Sequence, residues 1–277
     1  MSKSLKDFED KHGQEKIADL QKQLAAETRK VATLSNIQNR LNIVASKERT
    51  VRFGLIGDLH IGSLHANEGA LQGFFDYMHS QKVTQCFATG DIIEGVRVYK
   101  GQEFEVSEVG LEGQIGRLSR LKLAPVPVSF ITGNHDASFK NLVGVHVGKA
   151  IEQSRKGWTF LGEDQARIQF KSPGRKYQLM LLHPGGGSAY SLSYKTQKIV
   201  ESLEGGNKPN MLAVGHYHKA EFMPSYRNVS VVQTGTFCRQ TPFMARQGLA
   251  AHMGGWIMEV TIGATHNIVK SEFVAVY

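Results

Sequence analysis

The most constraining feature of this sequence is a set of five short apolar segments, each followed closely by residues that commonly bind metal ions. The segments have the length and composition of buried strands. They are residues 51–56, 83–88, 126–131, 179–182 and 211–214. The residues that follow are Asp58 and His60, then Asp91, then Asn134, His135 and Asp136, then His183, and finally His216 and His218. Because ligands gather beyond the carboxyl ends of strands in an α/β sheet, we expect these side chains to meet at one site.

Helical segments are predicted between several of these strands, and further strands follow them. The predicted helices cover residues 68–80, 107–121, 141–155 and 189–203, and the later strands cover residues 229–233, 256–261 and 266–276. Alternating strands and helices, followed by strands alone, indicate a layered α/β domain with a mixed sheet.

The first 50 residues differ from the remainder, because they contain one glycine and no proline. Their apolar residues recur with heptad spacing, which predicts one long amphipathic helix over residues 14–45. This helix could pack on the rest of the chain or form a short coiled coil that makes a homodimer. Glu27 and Gln38 interrupt the repeat, which favours packing slightly. We therefore divide the chain into an N-terminal helix at residues 1–50 and a main domain at residues 51–277.

The composition indicates a globular protein with a basic surface. Lys and Arg number 33 against 25 Asp and Glu, a formal charge of +8 at pH 7, and basic proteins often bind polyanions such as nucleic acid. A solvated basic surface is the alternative explanation. No apolar run approaches the roughly 18 residues of a membrane span, and no apolar signal segment follows the N-terminus. Cys86 and Cys238 do not make a disulfide framework, so we expect a reducing, cytoplasmic setting without membrane association.

Taken together and in this order, the five motifs resemble those of the calcineurin-like metallophosphoesterases. The family pattern runs Asp-x-His, Gly-Asp-x-x-Asp/Glu, Gly-Asn-His-Asp/Glu, a lone His and Gly-His-x-His, and the resemblance covers about residues 51–260. It implies a sandwich of mixed sheets flanked by helices, with two metal ions at the strand ends. It also implies that Asp58, His60, Asp91 and His218 hold the first ion and that Asp91, Asn134, His183 and His216 hold the second.

Two positions depart from the usual family pattern. Glu94 ends the second motif where many relatives have Asp, and Pro184 follows His183 where glycine is more usual. Neither departure removes a predicted metal ligand. The segments Pro184–Tyr194 and Gly215–Lys219 also resemble metallophosphoesterases found in phage and archaeal genomes.

The mixed ligand set suggests both the metal and the reaction. Imidazole and carboxylate ligands suit borderline ions, so Mn is the favoured metal, with Fe, Zn or Ni as alternatives. Two such ions can clamp the attacking and leaving oxygens of an in-line displacement at phosphorus. The resemblance implies that His135 lies beside the substrate phosphate, where it could protonate the leaving group, and Asp136 is the candidate to orient it.

The loop after the second motif carries candidate substrate contacts. Arg97 and Lys100 could bind phosphate and Tyr99 could stack on a base, although a solvated loop is the alternative. With the net charge, these residues favour a metal-dependent phosphodiesterase, a nuclease acting on DNA, with residues 51–277 as its catalytic domain. The enzymatic alternative is a phosphomonoesterase or small-nucleotide phosphodiesterase. The other alternative is a non-catalytic scaffold acting through the N-terminal helix, which the complete set of seven ligands disfavours.

Overall fold

The computed structural model describes residues 41–45, 49–172, 175–263 and 265–276. The strands, in chain order, are β1 Leu41–Ala45, β2 Thr50–Ile56, β3 Gln85–Ala88, β4 Val128–Thr132, β5 Trp158–Glu163, β6 Gln165–Ser172, β7 Arg175–Leu182, β8 Met211–Val214, β9 Ala220–Tyr226, β10 Val229–Thr234, β11 Gly254–Ile262 and β12 Asn267–Ala275. The α-helices are α1 Glu68–Ser80, α2 Gly110–Arg120, α3 Asn134–Val143, α4 Val147–Ser154, α5 Tyr194–Ser202 and α6 Pro242–Arg246.

The strands form two mixed sheets of six strands each. One sheet has the order β12-β11-β2-β3-β4-β5. Its strands β2 to β5 run parallel, whereas β11 and β12 are antiparallel additions. The other sheet has the order β1-β6-β7-β8-β10-β9 and combines parallel and antiparallel pairs. The predicted layered α/β fold with mixed sheets is confirmed.

The two sheets pack face to face through their apolar side chains. Phe53 of β2 stacks on Phe170 of β6 with ring centroids 5.3 Å apart, and both rings are fully buried. A second apolar cluster, which includes Phe75 and Phe130, packs helices α1 to α4 on the outer face of the first sheet. Val200 of α5 packs on the outer face of the second sheet. The layers are therefore helix, sheet, sheet and helix.

Local sequence explains where the helices begin and end. The side chain of Asn67 caps α1 by accepting a hydrogen bond from the backbone amide of Ala70. Gly144 ends α3 in the left-handed conformation, with φ of 74°, which glycine adopts without steric cost. The predicted helix over residues 141–155 is thus two helices, α3 and α4, separated at this glycine.

The predicted helix over residues 14–45 was wrong for its last five residues. Leu41–Ala45 form strand β1, which pairs in parallel with β6 at the edge of the second sheet. The β-branched residues Ile43 and Val44 favour a strand there. The remainder of the predicted helix, and the homodimer that depends on it, lie in residues 1–40, outside the described residues. Both stay predictions, as does the domain boundary at residue 50.

The five motif-bearing strands were predicted well. Strands β2, β3, β7 and β8 end at the predicted residue, and β4 ends one residue later. Four strands of the described residues, β1, β5, β6 and β9, were not predicted. Among the helices of the described ranges, none is both long and apolar enough to cross a membrane.

Candidate metal centre

The carboxyl ends of five strands bring the predicted ligands together. Strands β2, β3 and β4 come from one sheet and β7 and β8 from the other, so both sheets contribute to one cluster. Six of the seven predicted ligands fall into groups of His and Asp whose donor atoms lie within 4.8 Å of one another. The seventh, Asn134, contacts His183 with its side-chain oxygen at 3.0 Å.

The first group consists of Asp58, His60 and His218, which follow β2 and β8. The Nε2 atoms of His60 and His218 lie 3.0 Å apart. Nε2 of His218 lies 3.6 Å from Oδ1 of Asp58. These are three of the four ligands that the family resemblance assigns to the first ion.

The second group consists of Asp91, His183 and His216. Nε2 of His183 lies 3.2 Å from Oδ2 of Asp91, while the same carboxylate oxygen lies 3.9 Å from Nε2 of His60 in the first group. Asp91 therefore contacts residues of both groups, as its predicted bridging position requires.

The donor set suits divalent cations. Two nitrogen or oxygen ligands bonded to one ion at roughly 2.0–2.2 Å lie roughly 3 Å from each other. The closest contact is 3.0 Å in the first group, between His60 and His218, and 3.2 Å in the second, between His183 and Asp91. Asp58, Asp91, Glu94 and Asp136 are all at most 2% exposed. Buried carboxylates need nearby cations, because desolvation makes an isolated anion costly. Burial, joined by repulsion from Asp91, raises the pKa of Asp58 to about 7 although His183 opposes the shift.

Neighbouring carboxylates raise the pKa of two histidines in the cluster. Burial by itself lowers the pKa of His60, but its hydrogen bond to Glu94 and the charge of Glu94 raise it to about 9. Burial also opposes protonation of His183, yet the charge of Asp91 raises its pKa to about 10. For His218, burial and the neighbouring charge of His60 lower the pKa well below its ordinary value. Metal binding would therefore displace protons from His60 and His183.

The backbone at the ligands is held in an uncommon conformation. Five ligands have positive φ angles between 49° and 76°, where non-glycine residues are rare. They are Asp58, His60, Asp91, His216 and His218. Such a conformation costs on the order of 1–3 kcal/mol per residue and persists where the surrounding structure enforces it. Five of the ten non-glycine residues with positive φ in the described ranges are predicted ligands, which is the distribution expected of a functional site.

The glycines before the motifs leave room for the ligands. Gly90 has a positive φ of 97°, which glycine adopts without steric cost, but the other motif glycines do not. Gly133 has φ of −116°, and a Cβ atom there would lie 2.3 Å from Oδ1 of Asp91 and 2.6 Å from Cε1 of His183. A Cβ atom on Gly215 would lie 2.7 Å from the carbonyl oxygen of Thr89. These glycines are needed because the ligands pack directly against the backbone.

Hydrogen bonds to the remaining ring nitrogens orient three of the histidines. Nδ1 of His183 donates to the carbonyl oxygen of Thr89 at 2.8 Å, which leaves Nε2 free for a metal ion. Nδ1 of His60 donates to Oε2 of Glu94 at 2.9 Å. Nε2 of His216 lies 2.8 Å from the carbonyl oxygen of Gly186. The glycine run after His183 therefore presents a carbonyl group to a metal ligand.

His135 lies at the edge of the cluster, with its side chain 12% exposed. Its ring packs edge-on against that of His60 at 4.4 Å. Nδ1 contacts the carbonyl oxygen of Glu94 at 2.7 Å, which leaves Nε2 as the atom available to a substrate. Burial lowers the pKa of His135. His135 also groups with His60 and Asp91 as a potential ligand, so its assignment away from the metals stays a prediction.

Asp136 does not orient His135, contrary to the prediction. Its two carboxylate oxygens accept hydrogen bonds from the backbone amides of Ile92, Ile93 and Gly133, at 2.9–3.1 Å. Burial, with repulsion from Asp91, raises its pKa to about 7. Asp136 thus joins the loop after β3 to the start of α3. The imidazole of His135 is instead oriented by the backbone carbonyl group of Glu94.

The loop of residues 96–104 is anchored to the metal centre by a buried glutamine. The amide nitrogen of Gln102 donates to Oε1 of Glu94 at 2.8 Å and to its carbonyl oxygen at 2.9 Å. The side-chain oxygen of Gln102 accepts from the amide of Val98 at 2.8 Å. Because Glu94 also contacts His60 and His135, the loop is held in a fixed position beside the cluster.

The predicted substrate residues lie on this loop. Arg97 and Lys100 are exposed, and within the described part of the chain neither forms an ion pair. Tyr99 is partly buried, with its ring centroid 6.2 Å from that of His135 and 4.9 Å from that of Phe243 in α6. We call residues 96–104 together with α6 the rim of the site.

Sequence reasoning missed the roles of two residues that contact the candidate site. Glu94 was recognised only as the end of a motif, although its spacing of three residues from Asp91 was available as a signal. Gln102 had no signal, because a polar loop residue is common in any sequence.

Comparison with known proteins finds partial similarity to DNA polymerase II small subunits. No protein-family model matches the sequence. The chain is 34% identical over 99 residues to the DNA polymerase II small subunit of Halobacterium salinarum, covering 34% of this chain and 20% of that protein. It is 21% identical over 248 residues to the DNA polymerase II small subunit of Methanothermobacter thermautotrophicus, covering 72% of this chain and 50% of that protein. The chain thus spans half or less of the length of these curated relatives.

Solved structures share the architecture at low sequence identity. GAP50, the anchor in the inner membrane complex of Plasmodium, has a TM-score of 0.50 at 11% identity, covering 82% of this chain and 84% of that one. A Streptococcus pneumoniae protein described as a predicted phosphoesterase has a TM-score of 0.39 at 11% identity, covering 82% and 90%. Vps29 complexed with zinc, from Entamoeba histolytica, has a TM-score of 0.39 at 15% identity, covering 81% and 99%.

At identities of 11–15%, structural similarity concerns the fold and not the activity. Of the three TM-scores, only the value of 0.50 for GAP50 is high enough to bear on the fold. The motifs give the more specific indication, because all five occur in the predicted order at the carboxyl ends of strands from two packed mixed sheets. The chain therefore has the fold of the calcineurin-like metallophosphoesterases.

Proposed function

We propose that this protein is a phosphodiesterase that uses two divalent metal ions and acts on nucleic acid, with DNA as the favoured substrate. The observation that carries the proposal is the pair of ligand groups that Asp91 joins. A shared carboxylate between two histidine-rich groups is the arrangement expected for two ions that act on one phosphate.

The chain's own residues would hold the ions and position the leaving group. Two bound ions would supply activation of the attacking water and neutralisation of phosphate charge. Glu94 fixes the ring of His60 through its carboxylate and that of His135 through its carbonyl group. His135 could then give a proton from Nε2 to the leaving oxygen. Burial disfavours the protonated ring, whereas an adjacent phosphate anion would favour it.

Three observations favour DNA over other phosphate esters. The chain has a formal charge of +8. Arg97 and Lys100 are exposed on the rim and available to a phosphate backbone. The curated relatives are named as small subunits of a DNA polymerase, which supports a role in DNA metabolism. Because the chain spans only part of those relatives, a polymerase partner is not included in the proposal.

The enzymatic alternative remains a phosphomonoesterase or a small-nucleotide phosphodiesterase, which would need little basic surface outside the site. The non-catalytic alternative is a scaffold acting through residues 14–45. The complete ligand set and the strained backbone at five ligands favour a metal-binding site and so disfavour a scaffold whose site has lost its ligands.

Manganese is proposed as the metal because the ligands combine imidazole, carboxylate and amide groups, and Fe, Zn or Ni would suit the same set. A cytoplasmic setting and a homodimer through residues 14–45 also stay proposals. The free and buried thiols of Cys86 and Cys238 are consistent with a reducing compartment.

The deciding experiment compares substrates in the presence of defined metals. The purified chain would be incubated with Mn²⁺, Zn²⁺ or Mg²⁺ and with labelled single-stranded DNA, labelled duplex DNA, a p-nitrophenyl phosphomonoester and bis(p-nitrophenyl) phosphate. We expect cleavage of DNA and of the diester, and loss of both activities with a chelator. Fast hydrolysis of the monoester without cleavage of DNA or RNA would favour the phosphatase. Metal binding without hydrolysis of any ester would favour the scaffold.

A further inference from the structure

The rim contains a pair of stacked aromatic rings close to His135. Tyr99 and Phe243 lie with ring centroids 4.9 Å apart and an angle of 28° between their planes. They come from residues far apart in the chain, one in the loop after β3 and the other in α6. Phe243 is 37% exposed, so the stack extends to solvent and is not part of the core.

The segments that carry the two rings are anchored. The hydroxyl of Tyr99 donates to Oε2 of Glu105 at 2.8 Å, and Glu105 is only 7% exposed. In α6, the side-chain oxygen of Thr241 accepts from the amide of Met244 at 3.2 Å, and the Met244 side chain is buried. The Tyr99 ring and the start of the helix that carries Phe243 are therefore restrained before any ligand arrives, which lowers the entropy cost of binding a flat group.

The surroundings of the stack indicate what it would bind. The ring of Tyr99 also approaches that of His135, with centroids 6.2 Å apart, so the stack adjoins the reacting phosphate of the proposed function. Arg97 and Lys100 on the same loop are exposed cations. A flat aromatic surface beside cations and a phosphate site is the combination that proteins use for single-stranded nucleic acid, where bases stack and the backbone is neutralised.

We propose that Phe243 and Tyr99 form a platform on which an unpaired nucleobase stacks, next to the phosphate that is cleaved. This inference rests on the proposed function and adds a strand preference to it. A base inside a duplex already stacks on its neighbours and cannot lie on a protein ring without being extruded. The platform therefore selects single strands or frayed ends over intact duplex.

The experiment measures the ratio of kcat/KM between a substrate with bases and one without them. A general loss of activity lowers both values equally and leaves this ratio unchanged. Two single-stranded substrates of equal length and equal phosphate number are compared, an oligothymidylate and the same oligomer made of abasic spacers. The wild-type protein with Mn²⁺ should cleave the thymidine strand with the higher kcat/KM. In Phe243→Leu, the ratio between the two substrates should fall by roughly 5- to 140-fold, the span expected when one base stack is lost. Phe243→Tyr should retain the ratio, because it keeps the ring.

Phe104→Leu is the matched control, because Phe104 lies on the same rim, is 80% exposed and forms no ring stack within the described residues. This control should keep the wild-type ratio. If Phe243→Leu keeps the full preference for thymidine while the wild type cleaves DNA, the platform is wrong and the nuclease stands. If the wild type cleaves no nucleic acid with any tested metal, the nuclease and the platform both fail.

Discussion

The metal centre and the rim are positioned by opposite means. In the metal centre the backbone itself is constrained, because five ligands have positive φ and Gly133 leaves no room for a methyl group beside Asp91. At the rim, side chains hold side chains: Gln102 anchors the loop to Glu94, and Tyr99 stacks on Phe243. A constrained backbone leaves few tolerated substitutions, whereas side-chain contacts can be exchanged singly. Changes to the predicted ligands, or to the glycines packed against them, should therefore weaken metal binding, whereas changes at the rim should alter substrate preference.

The largest effect is expected for Asp91→Asn. The amide would remove one negative charge from the carboxylate that joins both ligand groups. We expect activity near background and less than one tightly held metal ion per chain, measured by metal analysis after dialysis. Asp76→Asn is the control, because Asp76 is an exposed carboxylate on α1 outside the site. A variant with two bound ions and near-normal turnover would refute the bridging role of Asp91.

His135→Asn should separate catalysis from metal binding within the cluster. If His135 serves the leaving group, the variant keeps its metal content and loses turnover by about 10²- to 10⁴-fold, the usual effect of losing a general acid. The defect should be smaller for a nitrophenyl diester, because a nitrophenolate leaves without a proton. An equal loss for good and poor leaving groups, or a loss of metal, would instead assign His135 to the ligands.

Gly133→Ala tests whether close packing against the backbone sets the ligands. The added Cβ atom would lie 2.3 Å from Oδ1 of Asp91, so this carboxylate or the β4 end must shift. We expect metal affinity to fall by roughly 10- to 100-fold, as when groups around a metal ligand are disturbed. Gly185→Ala is the matched control, because nothing lies within 4 Å of its Cβ position. Calorimetric titration with Mn²⁺ measures both variants, and equal affinities would contradict the packing argument.

The same contrast explains what the sequence could reveal. The ligands follow directly after apolar strands, so strand periodicity and residue type together located Asp58, Asp91 and His216. The rim contacts join residues such as Tyr99 and Phe243 that are distant in sequence, and neither residue type requires such a contact. Strand β1 was missed for a related reason, because its pairing with β6 lies outside the local heptad pattern. Local pattern therefore predicted the strands that carry the motifs and brought the candidate ligands to one place, whereas tertiary contact decided strand β1 and the rim.

The smallest effects are expected for Arg97→Ala and Lys100→Ala, which test the electrostatic part of the rim. Each phosphate contact to a single strand contributes about −0.7 to the slope of log K against log salt, because neutralising a phosphate releases counterions. If each cation makes one contact, each variant should make the slope shallower by less than one unit. Binding would be measured across a salt series in the His135→Asn background, so that the DNA stays intact.

Lys122→Ala provides the control for these two variants, since Lys122 is an exposed lysine after α2 and lies outside both the rim and the ligand motifs. It removes the same unit of net charge, so it corrects for the general field of a chain with a charge of +8. If all three variants change the slope equally, the dependence reflects net charge and the rim does not follow the phosphate backbone. If Arg97→Ala and Lys100→Ala change the slope more than Lys122→Ala does, and keep the metal content of their parent protein, the contact to the DNA phosphates lies on the rim. That result would also show that the rim can lose a contact without disturbing the metal centre. This independence is expected because side-chain contacts position the rim, whereas a constrained backbone positions the metal centre.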